Sequence, residues 1–153
     1  MIKGINVKNF KQLSKKLEKA GVSVDKVMKE AVQRSALAVQ SDAIKSIQTG
    51  SRTGRVYSRG SKNHIASAAG EAPKTDTGNL VANIRLMEEE GGKLVKVGVF
   101  GNRAIYGAWL ELGTSTIEPR PWLKPATDKN KPFIRRSFLE AVNRNLRKVA
   151  KNG

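Results

Sequence analysis

The chain has 153 residues, with 29 lysines and arginines against 13 aspartates and glutamates, and its formal net charge at pH 7 is +16. This length suits one ordinary domain, so we expect a single domain over residues 1–153. A charge far above what solubility requires indicates an acidic partner, either nucleic acid or an acidic protein surface. The chain has no cysteine, which excludes disulfides, thiolate nucleophiles and thiolate metal sites. The longest apolar run, Ala104–Leu110, is too short to span a bilayer, so we expect a soluble protein made in the cytoplasm, with no membrane partner.

Two helices are predicted at the start of the chain. Asn9 and Gln12 resemble a capping box before a short helix over about residues 10–20, whose outer face is rich in lysine. Ser23 can cap a second helix of about 25 residues, the longest expected element. The apolar side chains of this second helix recur at helical spacing and form one stripe, namely Met28, Val32, Ala36, Val39, Ala43 and Ile47.

A long basic segment follows, from Thr49 to Thr77. It is rich in Gly, Ser, Arg and Lys and shows neither a helical nor a strand period, which predicts a long flexible loop. Its composition is typical of an arm that a partner holds in place. His64, the only histidine, has no other ligand at metal spacing, so we expect a solvent-exposed side chain and no metal site. The loop residues expected to contact subunits, other proteins or DNA are Arg52, Arg55, Tyr57, Arg59, Lys62 and Lys74.

Alternating apolar residues return between Leu80 and Leu86 and again between Val95 and Val99. With the polar turn Glu88–Gly92 between them, these two runs predict a β-hairpin. Three adjacent glutamates in such a turn point in different directions, which favours a solvated turn over a metal-dependent nuclease site.

A short helix is predicted after Asn102, with Gly113 at its end. Ile105, Trp109 and Leu112 lie on one face of this helix. That stripe favours core packing for Trp109 over a role as a stacking platform for single-stranded nucleic acid.

A basic helix is predicted at the C-terminal end of the chain. Pro119, Pro121 and Pro125 keep the segment before it irregular, and Pro132 suits its first turn. Its apolar residues recur at helical spacing, namely Ile134, Phe138, Val142, Leu146 and Val149. The cations on its other faces are Arg135, Arg136, Arg144, Arg147, Lys148 and Lys151.

The expected order of elements is two helices, the long loop, two strands and two helices. This order predicts an α+β domain in which helices pack on one side of a small antiparallel β-sheet. The long helix of the N-terminal half and the C-terminal helix are its main helices, and the flexible basic loop at about 49–77 lies between them.

Two segments of the chain form sequence motifs. The first is ASAAGEAPKTDTGNL, residues 66–80, and the second is AIYGAWLELGT, residues 104–114, followed by RPWLKPA, residues 120–126. Both resemble segments of the tail-completion, or head-tail joining, family of long-tailed bacteriophages. The residues that carry this resemblance are Gly70, Glu71, Pro73, Asp76, Thr77, Gly78, Leu80, Tyr106, Glu111, Gly113, Thr114, Arg120, Pro121, Trp122 and Pro125.

The resemblance implies a virion component at the head-tail junction, with no catalytic activity, cofactor or metal. Members of the family form a ring at the head-proximal end of the tail, so the resemblance implies a hexameric ring with double-stranded DNA passing through it. The implied protein partners are other neck proteins, portal adaptors and the tail-tube or tail-terminator proteins.

The motif residues also predict particular contacts. Glu111 follows the pattern of a helix that ends in glycine, and we expect it to pair with Arg120 and hold the irregular segment against the core. Trp122 is expected either in the core or at a subunit contact. A closed ring requires two different contact patches on each subunit, and we expect one around Tyr57 in the basic loop and the other around Trp122.

Two other functions are compatible with parts of the sequence. The charge alone would suit a free nucleic-acid-binding protein that contacts phosphates without reading bases, although no helix-turn-helix, zinc-finger or RNP-type motif supports it. A small hydrolase or nuclease would need an activated nucleophile or a pair of acid and base groups, and the sequence offers neither.

Overall fold

The computed structural model describes residues 23–152, together with positions 12, 15, 18 and 19, which are helical. The rest of the short helix predicted over about residues 10–20 lies outside the described residues. The structure confirms the α+β class. Its helices and strands are α1 (Val24–Thr49), β1 (Val56–Arg59), β2 (Lys62–Ile65), α2 (Asn79–Asn83), β3 (Ile84–Glu89), β4 (Leu94–Val99), α3 (Ala104–Leu112) and α4 (Leu123–Asn152).

Helix α1 begins where the sequence predicts, because the Ser23 hydroxyl accepts the backbone N–H of Lys26 at 3.4 Å. The predicted apolar stripe is correct in the C-terminal half of the helix and wrong by one position in the N-terminal half. There Val27 and Ala31 are buried, because they pack against Ala141 of α4. The buried face of α1 consists of Val27, Ala31, Ser35, Ala36, Val39, Ala43 and Ile47.

Helix α4 begins at Leu123, well before the predicted start at Pro132, which lies inside the helix. Pro125 falls in the first turn, where a missing N–H removes no helical hydrogen bond. A polar contact joins α4 to α1, since the Asp42 carboxylate accepts hydrogen bonds from the side chains of Lys129 at 3.1 Å and Asn130 at 2.7 Å. The hydrogen bond from Lys129, followed by that from Asn130, holds the pKa of Asp42 below its usual value.

Strands β3 and β4 form the predicted antiparallel hairpin, in a register that pairs Ile84 with Val99 and Glu89 with Leu94. Leu80, however, lies in α2 and not in the strand. The chain enters this short helix through Gly78, which has a φ of +76°. The predicted polar turn is shorter than expected, because Glu89 still pairs in the strand and only Glu90–Gly92 form a 3-10 turn.

The long basic segment contains a second antiparallel hairpin, formed by β1 and β2, so the prediction of a loop without a strand period is wrong there. We call this hairpin, residues 56–65, the arm. Its base is closed by two backbone hydrogen bonds, from the Gly54 N–H to the Ala66 carbonyl at 2.9 Å and from the Ala66 N–H to the Arg55 carbonyl at 3.1 Å. His64 is also less exposed than expected, since its Nδ1 lies 3.4 Å from the Asp76 carboxylate.

The main core lies where α1 crosses β3 and β4 and meets the ends of α3 and α4. Helix α1 contributes its C-terminal half to this core, and Leu123 and Ile134 of α4 pack against it. The buried members are Val39, Ala43, Ile47, Ile84, Leu110, Trp122 and Ala126.

Candidate functional site

The second motif forms the corner between α3 and α4, residues 113–122. Gly113 ends α3 with a φ of +76°, and its N–H donates to the Trp109 carbonyl at 2.9 Å. A Cβ at this position would lie 2.8 Å from the Ile117 carbonyl oxygen, so the turn accepts only glycine. The next residue, Thr114, accepts the Ile117 N–H on its hydroxyl at 3.0 Å and donates its own N–H to the Ile117 carbonyl at 2.7 Å. These contacts fix the direction in which the chain leaves α3.

Glu111 caps the start of α4. Its carboxylate accepts the backbone N–H groups of Trp122 at 2.7 Å, Leu123 at 2.9 Å and Lys124 at 2.8 Å. These are N–H groups that have no partner within the helix, and the negative charge faces the positive end of the helix dipole. The expected pair between Glu111 and Arg120 does not form. Among the described residues, the Nε of Arg120 is buried without a hydrogen-bond partner, and the backbone N–H of Arg120 donates to the Leu110 carbonyl at 2.6 Å.

Trp122 belongs to the core and is only 3% exposed. Its indole N–H donates to the Gly107 carbonyl of α3 at 3.3 Å. Of the two positions predicted for this side chain, the structure has the core. Of the neighbouring motif prolines, Pro121 is half-buried and Pro125 is exposed.

The first motif forms a strap, residues 66–78, across the end of α1. The Glu71 carboxylate accepts hydrogen bonds from the hydroxyls of Ser51 and Thr53 and from the Ala68 N–H at 3.0 Å. Gly70, with a φ of +78°, donates its N–H to the Pro119 carbonyl at 2.9 Å. That last bond joins the two motifs in space.

The remaining residues of the strap also have structural contacts. Pro73 is buried, and the Lys74 ammonium donates to the Gln48 carbonyl at 2.7 Å, so this predicted contact residue is engaged within its own chain. The Thr77 hydroxyl accepts the Asn79 N–H at 3.4 Å. Leu80, just beyond the strap, packs against the core.

The outer side of α3 is an exposed apolar surface, formed by Ile105, Tyr106, Trp109 and Leu112, which we call the α3 face. These side chains are between 48% and 77% exposed. The prediction that Trp109 packs in the core is therefore wrong. Helix α3 is apolar at nearly every position, and its buried side is the opposite one, which carries Leu110 and Gly107.

The arm is a second exposed surface that combines apolar and basic residues. Val56 and Tyr57 are about half exposed, and Ile65 is also exposed. Arg52 and Arg55 precede the arm and are exposed, and Lys62 is exposed at its turn. Arg59 ends β1, and its side chain is not described.

Most acidic side chains of the described chain are engaged within the subunit. Glu71 and Glu111 bind hydroxyl and backbone N–H groups, as above. Within the described residues, the carboxylates without a hydrogen bond or ion pair are those of Glu18, Glu88, Glu90 and Glu118. The ion pairs are Asp25 with Lys93, Glu30 with Arg144, Asp42 with Lys129, Glu89 with Lys96, Asp128 with Lys124 and Lys131, and Glu140 with Arg34.

The C-terminal cations lie on α4, where Arg135, Arg136 and Arg147 are exposed and have no partner among the described residues. Arg144 differs, since it pairs with Glu30 at 3.5 Å. The side chains of Lys148 and Lys151 lie outside the description. Because few carboxylates remain free, the positive charge on the surface is largely uncompensated.

In residues 23–152 and the four helical positions before them, no group of three or more histidines and carboxylates is placed to hold a metal ion. Within the same described residues, no helix has both the length and the apolar character needed to cross a membrane. The three glutamates at positions 88–90 divide between β3 and the 3-10 turn.

Comparison with protein families identifies the chain as a structural component of a bacteriophage tail. It belongs to the HK97-gp10-like family, whose model, described as "Bacteriophage HK97-gp10, putative tail-component", matches residues 11–113. The matched region contains the arm, the strap, β3, β4 and α3, and it ends at the glycine that terminates α3. No curated protein and no solved structure matches the chain.

The first prediction concerns the cap on α4. Replacing Glu111 with alanine leaves three N–H groups without their acceptor, so we expect the free energy of unfolding to fall by about 1–2 kcal/mol. Glu111→Gln keeps an acceptor but removes the charge, and it should cost less. Urea denaturation of both variants measures the losses, with Glu118→Ala as an exposed acidic control that should change stability by less than about 0.5 kcal/mol.

The same experiment separates the cap from the ion pair that the sequence suggests. Because no contact joins Glu111 to Arg120, the losses from Glu111→Ala and Arg120→Ala should add to within about 0.5 kcal/mol in the double variant. A double variant that loses much less than the sum would show that the two side chains do interact.

The second prediction concerns Glu71. Hydrogen bonds from Ser51 first, then from Thr53 and the Ala68 N–H, hold its pKa below the usual value of 4.5. A carboxyl whose pKa is lower in the folded protein stabilises the fold fully above its unfolded pKa, and that stabilisation is lost as the pH falls through the folded pKa. The double variant Ser51→Ala/Thr53→Ala should therefore lose less stability than the native chain between about pH 6 and pH 3.

Thermal melts at a series of pH values test this expectation. Asp42 and Asp128, whose pKa values are also lowered, contribute equally to both proteins. Glu88→Gln, at a carboxylate without a partner in the described chain, is the matched control. It should leave the change of melting temperature with pH as it is in the native chain. Parallel pH profiles for the native chain and the hydroxyl-free variant would contradict the role of Glu71.

Proposed function

We propose that the protein is a subunit of a ring at the head-tail junction of a long-tailed phage, where it joins the DNA-filled head to the tail. The ring is hexameric and lets double-stranded DNA pass through its centre. The observation that carries this proposal is the presence of two exposed apolar surfaces, the α3 face and the arm, on a subunit of a phage tail family. Exposed apolar surfaces are unfavourable in water, so their presence indicates that partners cover them in the assembled particle.

Two separate contact surfaces suit a ring. In a ring of identical subunits each contact joins two different patches, because the same operation repeats around the axis. A single patch that binds its own copy would give a dimer instead. The α3 face and the arm lie in different parts of the sequence and differ in chemistry, since one is apolar and aromatic and the other is apolar and basic.

The positive charge of the subunit indicates that the ring binds acidic partners. Each subunit adds a formal charge of +16, and the repulsion between neighbours opposes assembly unless salt, DNA or acidic proteins offset it. The exposed cations of α4 are available for such partners, which we propose to be the DNA and neighbouring neck, portal-adaptor or tail-terminator proteins. The arm becomes fixed in the assembled particle, because a hairpin of two strands is only marginally stable without a partner.

A second candidate function is that of a free nucleic-acid-binding protein. The observation in its favour is the excess of exposed cations, such as Arg135 and Arg136, over carboxylates that could compensate them. Such contacts bind phosphates and carry no sequence information. This function leaves the α3 face unexplained, so we place it second.

The third prediction tests the joining function in the phage. A phage with this gene deleted should produce filled heads and complete tails that remain separate, and infectivity should return when the native gene is supplied on a plasmid. Electron microscopy of lysates measures the fraction of joined particles. Joined, infectious particles in the absence of the gene would overturn the proposal.

Quantitative mass spectrometry of purified virions should find about six copies of the protein per particle, and a single copy would exclude the ring.

The fourth prediction separates the two candidate functions. If the cations make only ionic contacts with DNA, the isolated subunit should bind duplex DNA weakly, without sequence preference, and lose affinity by a large factor as salt rises from about 50 to about 200 mM. Fluorescence anisotropy with two duplexes of unrelated sequence measures this. Binding that is still tight at about 200 mM salt would favour the second candidate and count against the first.

A further inference from the structure

We infer, on the basis of the proposed ring, that the α3 face of one subunit receives the arm of the neighbouring subunit. The occupant of the α3 face is thus a second copy of this chain. The two surfaces are complementary in chemistry, and the apolar side chains of both remain exposed in the described subunit.

The α3 face is a continuous stripe and not a set of scattered apolar residues. Ile105, Trp109 and Leu112 of this face recur at the spacing of one side of a helix, and the exposed Ala108 lies between them on the same side. A groove lined by Phe100, Leu112 and other residues of β4, α3 and α4 adjoins the stripe. Exposed aromatic and aliphatic side chains beside a groove are typical of the centre of a protein interface.

The arm has the features of a segment that enters such a surface. Its two strands pair with each other, and it is joined to the rest of the subunit by the backbone bonds at its base and by the contact of His64 with Asp76. The register places Val56 opposite Ile65, so these two apolar side chains share one face of the arm, and both are exposed. This apolar pair is the part of the arm that we place against the α3 face.

The cations of the arm favour an aromatic surface as their receptor. A contact between two copies of this chain has few free carboxylates, because most are engaged within the subunit. Arginine can instead stack on the rings of tryptophan or tyrosine. Trp109 and Tyr106 supply those rings, and Arg55 at the base of the arm is exposed and free to reach them.

Negative charge at the edge of the α3 face also favours the basic arm as its partner. Glu118, one of the few carboxylates without a partner in the described chain, lies in the corner that follows α3. The C-terminal end of α3 also carries the negative end of the helix dipole. A basic arm is therefore attracted to this end of the helix, whereas the basic outer side of α4 would repel it.

Cross-linking tests the contact directly, because the chain contains no cysteine. Ser58→Cys places a thiol on the exposed face of the arm that carries Val56, and Ala108→Cys places one in the middle of the α3 face. The double variant is assembled at high salt, which screens the repulsion between subunits, and is treated with a short bis-maleimide. Native mass spectrometry records, in parallel, whether rings form.

We expect a ladder of covalent oligomers in denaturing gels that ends at the size of the closed ring. Each single-cysteine variant should give no product larger than a dimer. Ser58→Cys combined with Leu139→Cys, an exposed position on α4, is the matched control for distance, and it should give little product. Rings that form without the ladder, or a ladder no stronger than with Leu139→Cys, would overturn the contact and leave the ring intact. Failure to form rings under any condition, with a single copy in virions, would overturn the ring itself.

Removal of the Trp109 side chain tests the contact in an independent measurement. Trp109→Ala should raise the subunit concentration needed for ring formation by about tenfold or more, as expected for a buried aromatic residue at an interface. Leu37→Ala, an equally exposed apolar residue on α1, should leave that concentration unchanged. If Trp109→Ala forms rings normally but fails to join heads to tails, the α3 face binds another neck protein, and the inferred contact is wrong.

Discussion

The hydrogen bonds of Glu111 to the start of α4 determine the arrangement of the C-terminal half of the molecule. One carboxylate at the end of α3 accepts three N–H groups of the next helix, and this fixes the angle between the two helices. Trp122 is thereby placed in the core, where its indole bonds to the backbone of α3. Because α3 is held from this inner side, its other apolar side has no place in the core and remains at the surface.

Much of the fold can be predicted from the sequence where the signal is local. The cap at Ser23, the hairpin of β3 and β4 and the end of α3 at Gly113 each depend on neighbouring residues, and the structure has them as expected. The start of α4 could not be predicted, because its cap comes from a residue that precedes the whole corner. The role of Trp109 was predicted wrongly for a different reason. A helix that is apolar on all sides gives no indication of which side is buried.

The candidate site was predicted in part. The motif residues were identified, but Glu111 was assigned the wrong partner, and the loop prediction missed the arm. Its strands are four residues each and carry polar and basic residues among the apolar ones, so their alternation is too short to detect. The apolar α3 face was visible in the sequence only as a stripe, which both a core helix and an interface helix would show.

The closed base of the arm has a consequence for how related subunits can diverge. Two backbone hydrogen bonds, between Gly54 and Ala66 and between Ala66 and Arg55, join the ends of this segment before the first strand pair. Residues beyond that point can be inserted or deleted in pairs across the hairpin without moving α1 or the strap. The length of this projection can therefore change independently of the domain. If the proposed ring forms, a change in this one hairpin alters the reach of one subunit toward the next, and with it the bore of the ring.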